Sequence, residues 1–370
     1  MKKSLIAPVA LGAFALAVGG CATPPAASSS AAPSSASASA SAPTSDFKAC
    51  MVSDAGGFDD KSFNETAYKG LTDAVAQLGV QKAEVQSSVA ADYAKNVQAM
   101  VTQKCDIIVT VGFALGDATL AAAKANPDID FAIVDYAYSD AKTGKNTAPA
   151  NLKGLLFDTS QPSFMAGYLA ASLSQTGKVG TFGGAPYPSV TSFMDGYARG
   201  VDYYNKQKGK SVAVLGWDVA KKDGTFIGGQ DPFGDVPGGK KVATNLMAQG
   251  ADILLPVAGP SGEGALQVAK ASNGKVGSMW VDTDGCVSQE SYCAVIPSSV
   301  GKAMDVAVLQ AIKDAKDDKF SNEPYLGTLE NNGAYLAPFH DWDSKVSAET
   351  KAELDKIKAD IIAGTLKTTA

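Results

Sequence analysis

The sequence predicts an α/β protein of two lobes, each built on a doubly wound parallel sheet. Three observations predict it. Short apolar runs alternate with longer segments whose apolar residues recur every three or four positions, the pattern of strands joined by crossover helices. The run 105–111 is almost uniformly apolar, as a strand covered on both faces must be. The series occurs twice in succession, and 370 residues exceed one ordinary core.

The first series opens with a strand at 50–53 and a glycine-containing loop. Ser62 and Glu65 have the spacing of a capping box, with Ser62 as N-cap. Phe63, Ala67, Leu71, Ala74, Val75 and Leu78 then repeat at helical spacing until Gly79 stops the helix. Strand two is predicted at 83–89, helix two at 92–104 and strand three at 105–111. A helix at 115–126 closes at Pro127, and strand four spans 130–134. A further strand at 151–157 leads into a helix at 160–175. The second series begins with a strand at 178–182 and a helix at 189–207, then a strand at 211–215 and a helix at 240–249. A strand at 251–257, a helix at 262–272 and a strand at 275–281 follow. The segment 294–297 continues to a helix at 299–316, and 333–337 precedes a charged helix at 348–363.

The amino terminus has another character. Met1-Lys2-Lys3 opens the chain, 5–18 is apolar, and Gly19-Gly20 precedes Cys21. A basic tip, a short apolar stretch and small residues at the cut make a secretory signal over 1–20, too short for a comfortable transmembrane helix. A cysteine directly after the small residues resembles a bacterial lipobox. That resemblance implies a diacylglycerol thioether on Cys21 with further acyl chains such as palmitate, and a cell-membrane protein tethered on the extracytoplasmic face. Residues 21–45 are almost wholly Ala, Ser, Pro and Thr, uncharged, and are expected to form a disordered tether.

Composition excludes several functions. The net charge is −6 at pH 7, and removal of Lys2 and Lys3 takes −6 to −8. Without a basic stripe, nucleic acid is a poor partner. The single histidine, His340, has no evident partner and reads as a surface loop residue, so histidine base chemistry and multi-histidine metal sites lose their footing. The segment 234–241 imitates a phosphate loop, but Lys241 stands where Ser or Thr is required. No Gly-x-Ser-x-Gly elbow and no calcium-loop spacing occur. The expectation is a monomeric binding module without catalytic residues, metal or cofactor.

Four further cysteines suit an oxidising compartment. Cys286 and Cys293 flank a short loop. Cys50 and Cys105 each start an apolar strand, and the first and third strands of a doubly wound sheet are neighbours. Among three possible connectivities, 50–105 with 286–293 is the expected one; free buried thiols are the alternative.

Ligands of such sheets bind at the carboxyl ends of the strands. The loops there hold Asp54, Asp59, Asp60, Phe63 and Asn64, then Gly112-Phe113, then Asp135-Tyr136. In the second lobe they hold Gly183-Gly184, Trp217-Asp218, Gly259 and Asp282. Carboxylates and aromatics thus converge from both lobes, fitting a planar, hydroxylated small molecule.

The stretch Asp54-x-Gly-Gly-Phe-Asp-Asp-Lys-Ser-Phe-Asn64 resembles the opening motif of the basic membrane protein family of lipoproteins, which includes purine nucleoside receptors of ABC transporters. The likeness continues through Gly112-Phe113-Ala114, Asp135, Phe193-x-x-Gly196, Val257-Ala258-Gly259 and Val281-Asp282, and ends at Ser298–Lys302. It covers nearly the whole body in order. It implies a type I periplasmic-binding-protein-like fold with a hinge of three crossings, a nucleoside ligand, and an ABC permease with its ATPase as partners. It implies lobe 1 from 46–157 plus about 286–320, and lobe 2 from 158–285 plus about 321–370. By the same resemblance Phe63 and Phe233 match aromatics that sandwich a nucleobase. Asp135 matches an acceptor for base N–H groups, and Asp282 and Lys302 match groups that hold ribose. Asp54, Asn64 and Gly259 match further pocket positions, and Phe113 lies in a matching loop. The chain departs from the family over 219–239 and after Asp284. Each reading has a plainer rival: Phe63 and Phe193 as core, Phe113 as packing between lobes, Asp59 and Asp60 as helix caps, Lys302 as an exposed ion-pair partner one turn into a helix. The rival functions are a sugar or similar polar ligand in the same fold, or an adhesin or signalling lipoprotein.

Overall fold

The computed structural model describes residues 45–369. The signal, Cys21 and nearly all of the tether lie outside the described residues.

The chain begins with β1 (Lys48–Ala55), α1 (Phe63–Leu78), β2 (Gln81–Ser87), α2 (Tyr93–Thr102) and β3 (Ile107–Val111). It continues through α3 (Gly116–Ala125), β4 (Asp130–Val134) and β5 (Leu152–Phe157). Next come α4 (Ser160–Leu173), β6 (Lys178–Gly183), α5 (Pro188–Lys208) and β7 (Ala213–Leu215), then a hairpin of β8 (Trp217–Asp218) and β9 (Asp223–Gly224). After it follow α6 (Val236–Ala248), β10 (Ile253–Val257), α7 (Glu263–Ala271), β11 (Gly277–Ser278) and β12 (Trp280–Asp282). The last group is α8 (Gly285–Ser288), β13 (Ser299–Lys302), α9 (Met304–Lys316), β14 (Tyr325–Gly327), β15 (Ala334–Leu336) and α10 (Ala348–Ile362).

The first sheet has strand order β14-β5-β4-β3-β1-β2, and every pairing in it is parallel. Alternate side chains of its central strands point to opposite faces. Met51, Ile107 and Val109 meet α1 and α9 on one face; Cys50, Ile108 and Ile133 meet α2 and α3 on the other. Both faces are covered, which explains the almost uniformly apolar third strand. The order also puts β1 beside β3, and Cys50 is bonded to Cys105 with Cα atoms 5.9 Å apart. Cys286 is bonded to Cys293.

The second layer splits. β11-β10-β6-β7 is parallel; β12-β13-β15 is a separate sheet with an antiparallel edge. The single strand expected at 275–281 breaks at Met279 into β11 and β12, which belong to different sheets. α4 and α5 cross at very close range because Gly167, Gly196 and Gly200 line the crossing. A Cβ on Gly200 would stand 1.9 Å from the carbonyl oxygen of Phe164.

Three expectations need correction. Residues 299–302 are a strand, not the start of a helix, so Lys302 sits on β13 rather than one turn into a helix. All four residues are buried, and Val300 pairs with both Val281 and Leu336. Tertiary pairing overrides a weak local preference here. The crossings also shift: β13 joins β12, so 286–302 stays with the second layer, and β14 pairs with β5, so 321–327 stays with the first. The crossings therefore fall near 158, 303 and 328. Finally, Ser62 does not cap α1 with its side chain. The Asp60 carboxylate does so, accepting from the backbone N–H groups of Ser62, Asn64 and Glu65 at 2.9–3.0 Å. Its two oxygens take three orphan donors at the positive end of the helix dipole, which one hydroxyl cannot match.

Candidate functional site

The carboxyl ends of β1, β3 and β4 face those of β6, β10, β12 and β13 across a cavity. All nine expected ligand residues line it. Asp54, Phe63, Asn64, Phe113 and Asp135 come from the first layer; Phe233, Gly259, Asp282 and Lys302 come from the second. Tyr187, Ser189 and Val190 also line it and were not anticipated. Tyr187 left one signal in the sequence, an aromatic between two prolines shortly after the Gly183-Gly184 strand end. Phe193, which also fits a core position, is both: it is fully buried and its ring faces the cavity.

One cation organises the polar wall. Lys302 Nζ stands 2.6 Å from Asp135 Oδ2 and 3.3 Å from Asp282 Oδ1. Asp135 belongs to the first layer, so this pair bridges the two. The Ser62 hydroxyl donates to Asp282 Oδ2 at 2.9 Å, a second bridge, and Trp280 Nε1 donates to the Lys61 carbonyl at 3.2 Å, a third. Burial works against the Lys302 ammonium, but Asp135 and Asp282 more than offset it and hold it above its ordinary range. Burial pushes the Asp135 carboxyl up, with Lys302 pulling back. Asp135 and Asp282 both close a strand in left-handed backbone, at φ 66° and 71°. Aspartate tolerates that region better than most residues. The kink turns each chain away from its sheet at the strand end.

A second polar group lies at the end of β1. Asn64 Nδ2 donates to Asp54 Oδ1 at 2.9 Å and to Asp60 Oδ2 at 3.2 Å. Asn64 Oδ1 is buried and has no hydrogen-bond partner among the described residues, which leaves an acceptor on a cavity-lining side chain. Burial pushes the Asp54 carboxyl up to about 8, with Asn64 lowering it and Asp60, Asp135 and Asp282 adding like-charge repulsion. Gly112 makes the enclosure possible: at φ 119° a Cβ there would stand 2.2 Å from Asp54 Oδ2.

Aromatic rings complete the walls. Phe63 and Phe193 place their faces 4.9 and 5.1 Å from Lys302 Nζ, a cation–π pair of contacts. Phe233 is fixed by its backbone, since its carbonyl accepts from Ser261 N–H at 2.8 Å, and its ring approaches Gly184 where a Cβ would be 2.4 Å away. Phe113 stacks on Tyr187 with centroids 5.1 Å apart and planes 24° apart, and Tyr187 lies 6.0 Å from Phe233. Gly259 needs no side chain for contact; its φ of 50° turns the chain beside Phe233.

His340 is outside the cavity. It is exposed but not alone, with Nε2 2.7 Å from Asp284 Oδ2. The nearby Cys286 sulfur is committed to Cys293.

Two α/β layers joined by three crossings, with a lined cleft between their strand ends, define a substrate-binding protein of the type I periplasmic class. The family model described as "ABC transporter substrate-binding protein PnrA-like" matches residues 47–327, and the chain belongs to that family. Its members are binding components of ABC transporters, not enzymes. The ABC transporter nucleoside-binding protein BmpA of Lactococcus lactis subsp. cremoris is 30% identical over 384 aligned residues, covering 98% of each chain. Basic membrane protein A of Borreliella burgdorferi is 30% identical, covering 85% of each. An ABC transporter solute-binding protein of Aeropyrum pernix K1 superposes with a TM-score of 0.74 at 25% identity, over 87% of this chain and 92% of that one. Among the described residues, no helix is long and apolar enough to cross a membrane.

Proposed function

We propose that this protein captures a nucleoside, with a purine as the base, outside the cytoplasm and presents it to an ABC permease driven by its ATPase. The carrying observation is the lining of the cavity. Rings from both layers enclose a space that also holds an Asp135–Lys302–Asp282 array, so a flat apolar face and a polar rim are both matched. In this reading Phe63 and Phe233 flank the base. The free oxygen of Asp135 accepts from base N–H groups. Asp282 and Lys302 hold the ribose hydroxyls, while Asp54, Asn64 and Gly259 border the base and sugar. Phe113 closes over them. The two layers act as lobes that swing together about the crossings near 158, 303 and 328, and the closed state is selected because only it touches the ligand from both sides. The relative from Lactococcus lactis, named as nucleoside-binding, supports the ligand class. Cys21 carries the lipid anchor and the following tether lifts a monomeric body off the membrane.

Titration calorimetry and thermal melting of the purified protein against purine and pyrimidine nucleosides, free bases and pentoses test this reading. A purine nucleoside at a hundred times its Kd is expected to stabilise the fold by about 2.7 kcal/mol. Silence across the nucleosides, with heat from a sugar instead, would reject it.

A further inference from the structure

The contacts that bridge the cleft fall into two groups. The hydrogen-bonded bridges involve β12 and β13: Ser62 to Asp282 and to the Val281 carbonyl, Trp280 to Lys61, and Lys302 to Asp135. Lys302 lies immediately before a crossing, since α9 of the first layer begins at Met304. Contacts beside a crossing change least when two bodies swing about it. The stack of Phe113 on Tyr187 is different. Phe113 follows β3 and Tyr187 precedes α5, and neither is near a crossing in the chain. Opening the cleft must separate these rings.

Both rings are presented rigidly. Tyr187 lies between Pro186 and Pro188, so its own backbone is restricted to the extended region, and it holds φ −79° and ψ 146°. Its carbonyl accepts from Val190 and Thr191 N–H at 2.9 Å, which pins the turn to the first residues of α5. Phe113 is backed by Tyr136 at 5.0 Å, and Tyr136 by Tyr138 at 4.8 Å. A continuous run of five rings, Tyr138, Tyr136, Phe113, Tyr187 and Phe233, therefore spans the cleft. Phe113 and Tyr187 are both half-buried, and their rings are in contact across the cleft.

We propose that Phe113 and Tyr187 form an aromatic latch that populates the closed cleft before any ligand arrives and slows ligand release once it has. Tyr187 is a positioning residue in this scheme: it holds Phe113 from the opposite lobe and backs Phe233. The proposal rests on the hinged-cleft reading above, but not on the identity of the ligand. An aromatic pair of this geometry shifts a two-state ratio by about two- to ten-fold. Because a held ligand leaves only after the two rings part, the shift is expected in the release rate.

The test is single-molecule energy transfer on the full chain, with dyes at the exposed positions 95 and 221, first without ligand. Tyr187→Ala and Phe113→Ala are each expected to lower the closed-to-open ratio by about two- to ten-fold. The double substitution should do no more than either alone, because it removes the same contact. Tyr187→Phe should keep the wild-type distribution, which shows that the ring and not the hydroxyl acts. Stopped-flow release of a fluorescent purine nucleoside should then accelerate by the same factor in the alanine variants. An unchanged ligand-free distribution in both alanine variants, or additive effects in the double one, would overturn the latch. Failure of nucleosides to bind leaves the ligand-free series decisive and sinks only the ligand reading.

Discussion

At the scale of single residues, the cavity is dominated by four aspartates, of which two are paired with its one ammonium. Asp54, Asp60, Asp135 and Asp282 border it with Lys302. Lys302 is placed against Asp135 and Asp282, so Asp54 has only Asn64 and the proximity of other acids. Its carboxyl titrates near 3.8 in the unfolded chain and at about 8 in the folded one. The folded protein thus keeps a proton that the unfolded chain releases. The contribution to stability is complete below the lower value and is lost as pH rises through the upper one. The melting temperature of the ligand-free protein is therefore expected to fall from pH 5 to pH 8. Asp54→Asn, which keeps the shape and removes the titration, should flatten that slope and raise the melting temperature at pH 8. An equally steep slope in calorimetric scans of the variant would show that another group is responsible.

At the scale of elements, close crossing is what fixes the second layer. α4 and α5 touch through glycines, and Gly167 and Gly200 each stand where a Cβ would be 1.9 Å from a backbone oxygen of the other helix. Backbone cannot yield as a flexible side chain does. Gly200→Ala is expected to lower the unfolding free energy by about 1–3 kcal/mol, read from urea denaturation, with the slope of the transition unchanged. The same scale shows what the sequence made legible. Helical periodicity locates α1, and the nearly uniform apolarity of the third strand announces its cover on both faces. The strand β13 was not legible, because Ser-Val-Gly-Lys has no period of its own and owes its form to β12 and β15. The sequence pattern points to a Ser62 side-chain cap on α1, but the Ser62 hydroxyl is engaged instead by Asp282 across the cleft. Tyr187 is hard to single out in the sequence for a related reason: its significance depends on Phe113, 74 positions earlier in the chain.

At the scale of the whole molecule, the two disulfides restrain the unfolded chain unequally. Cys50 and Cys105 are separated by 55 positions, Cys286 and Cys293 by 7. Loop entropy alone then assigns about 4 kcal/mol to the first and about 2 kcal/mol to the second. Chemical denaturation of the paired alanine variants should rank them in that order, and the reverse ranking would show that local strain outweighs chain entropy. The first bond also ties β1 to β3, the strands that carry Asp54 and Phe113 towards the cleft. The positions of the nine cavity residues followed from the family motif and from the rule that loops at strand ends converge. What stayed hidden was their pairing, since a sequence orders residues but does not measure distances between them.

The two strand-end kinks at Asp135 and Asp282 restrict the chemistry available there. Left-handed backbone admits aspartate, asparagine and glycine readily and excludes branched side chains. Any redesign of this pocket for a different cargo has a short alphabet at both positions. Aspartate-to-asparagine exchange is the route that alters the polarity of the rim while leaving the geometry of both turns intact.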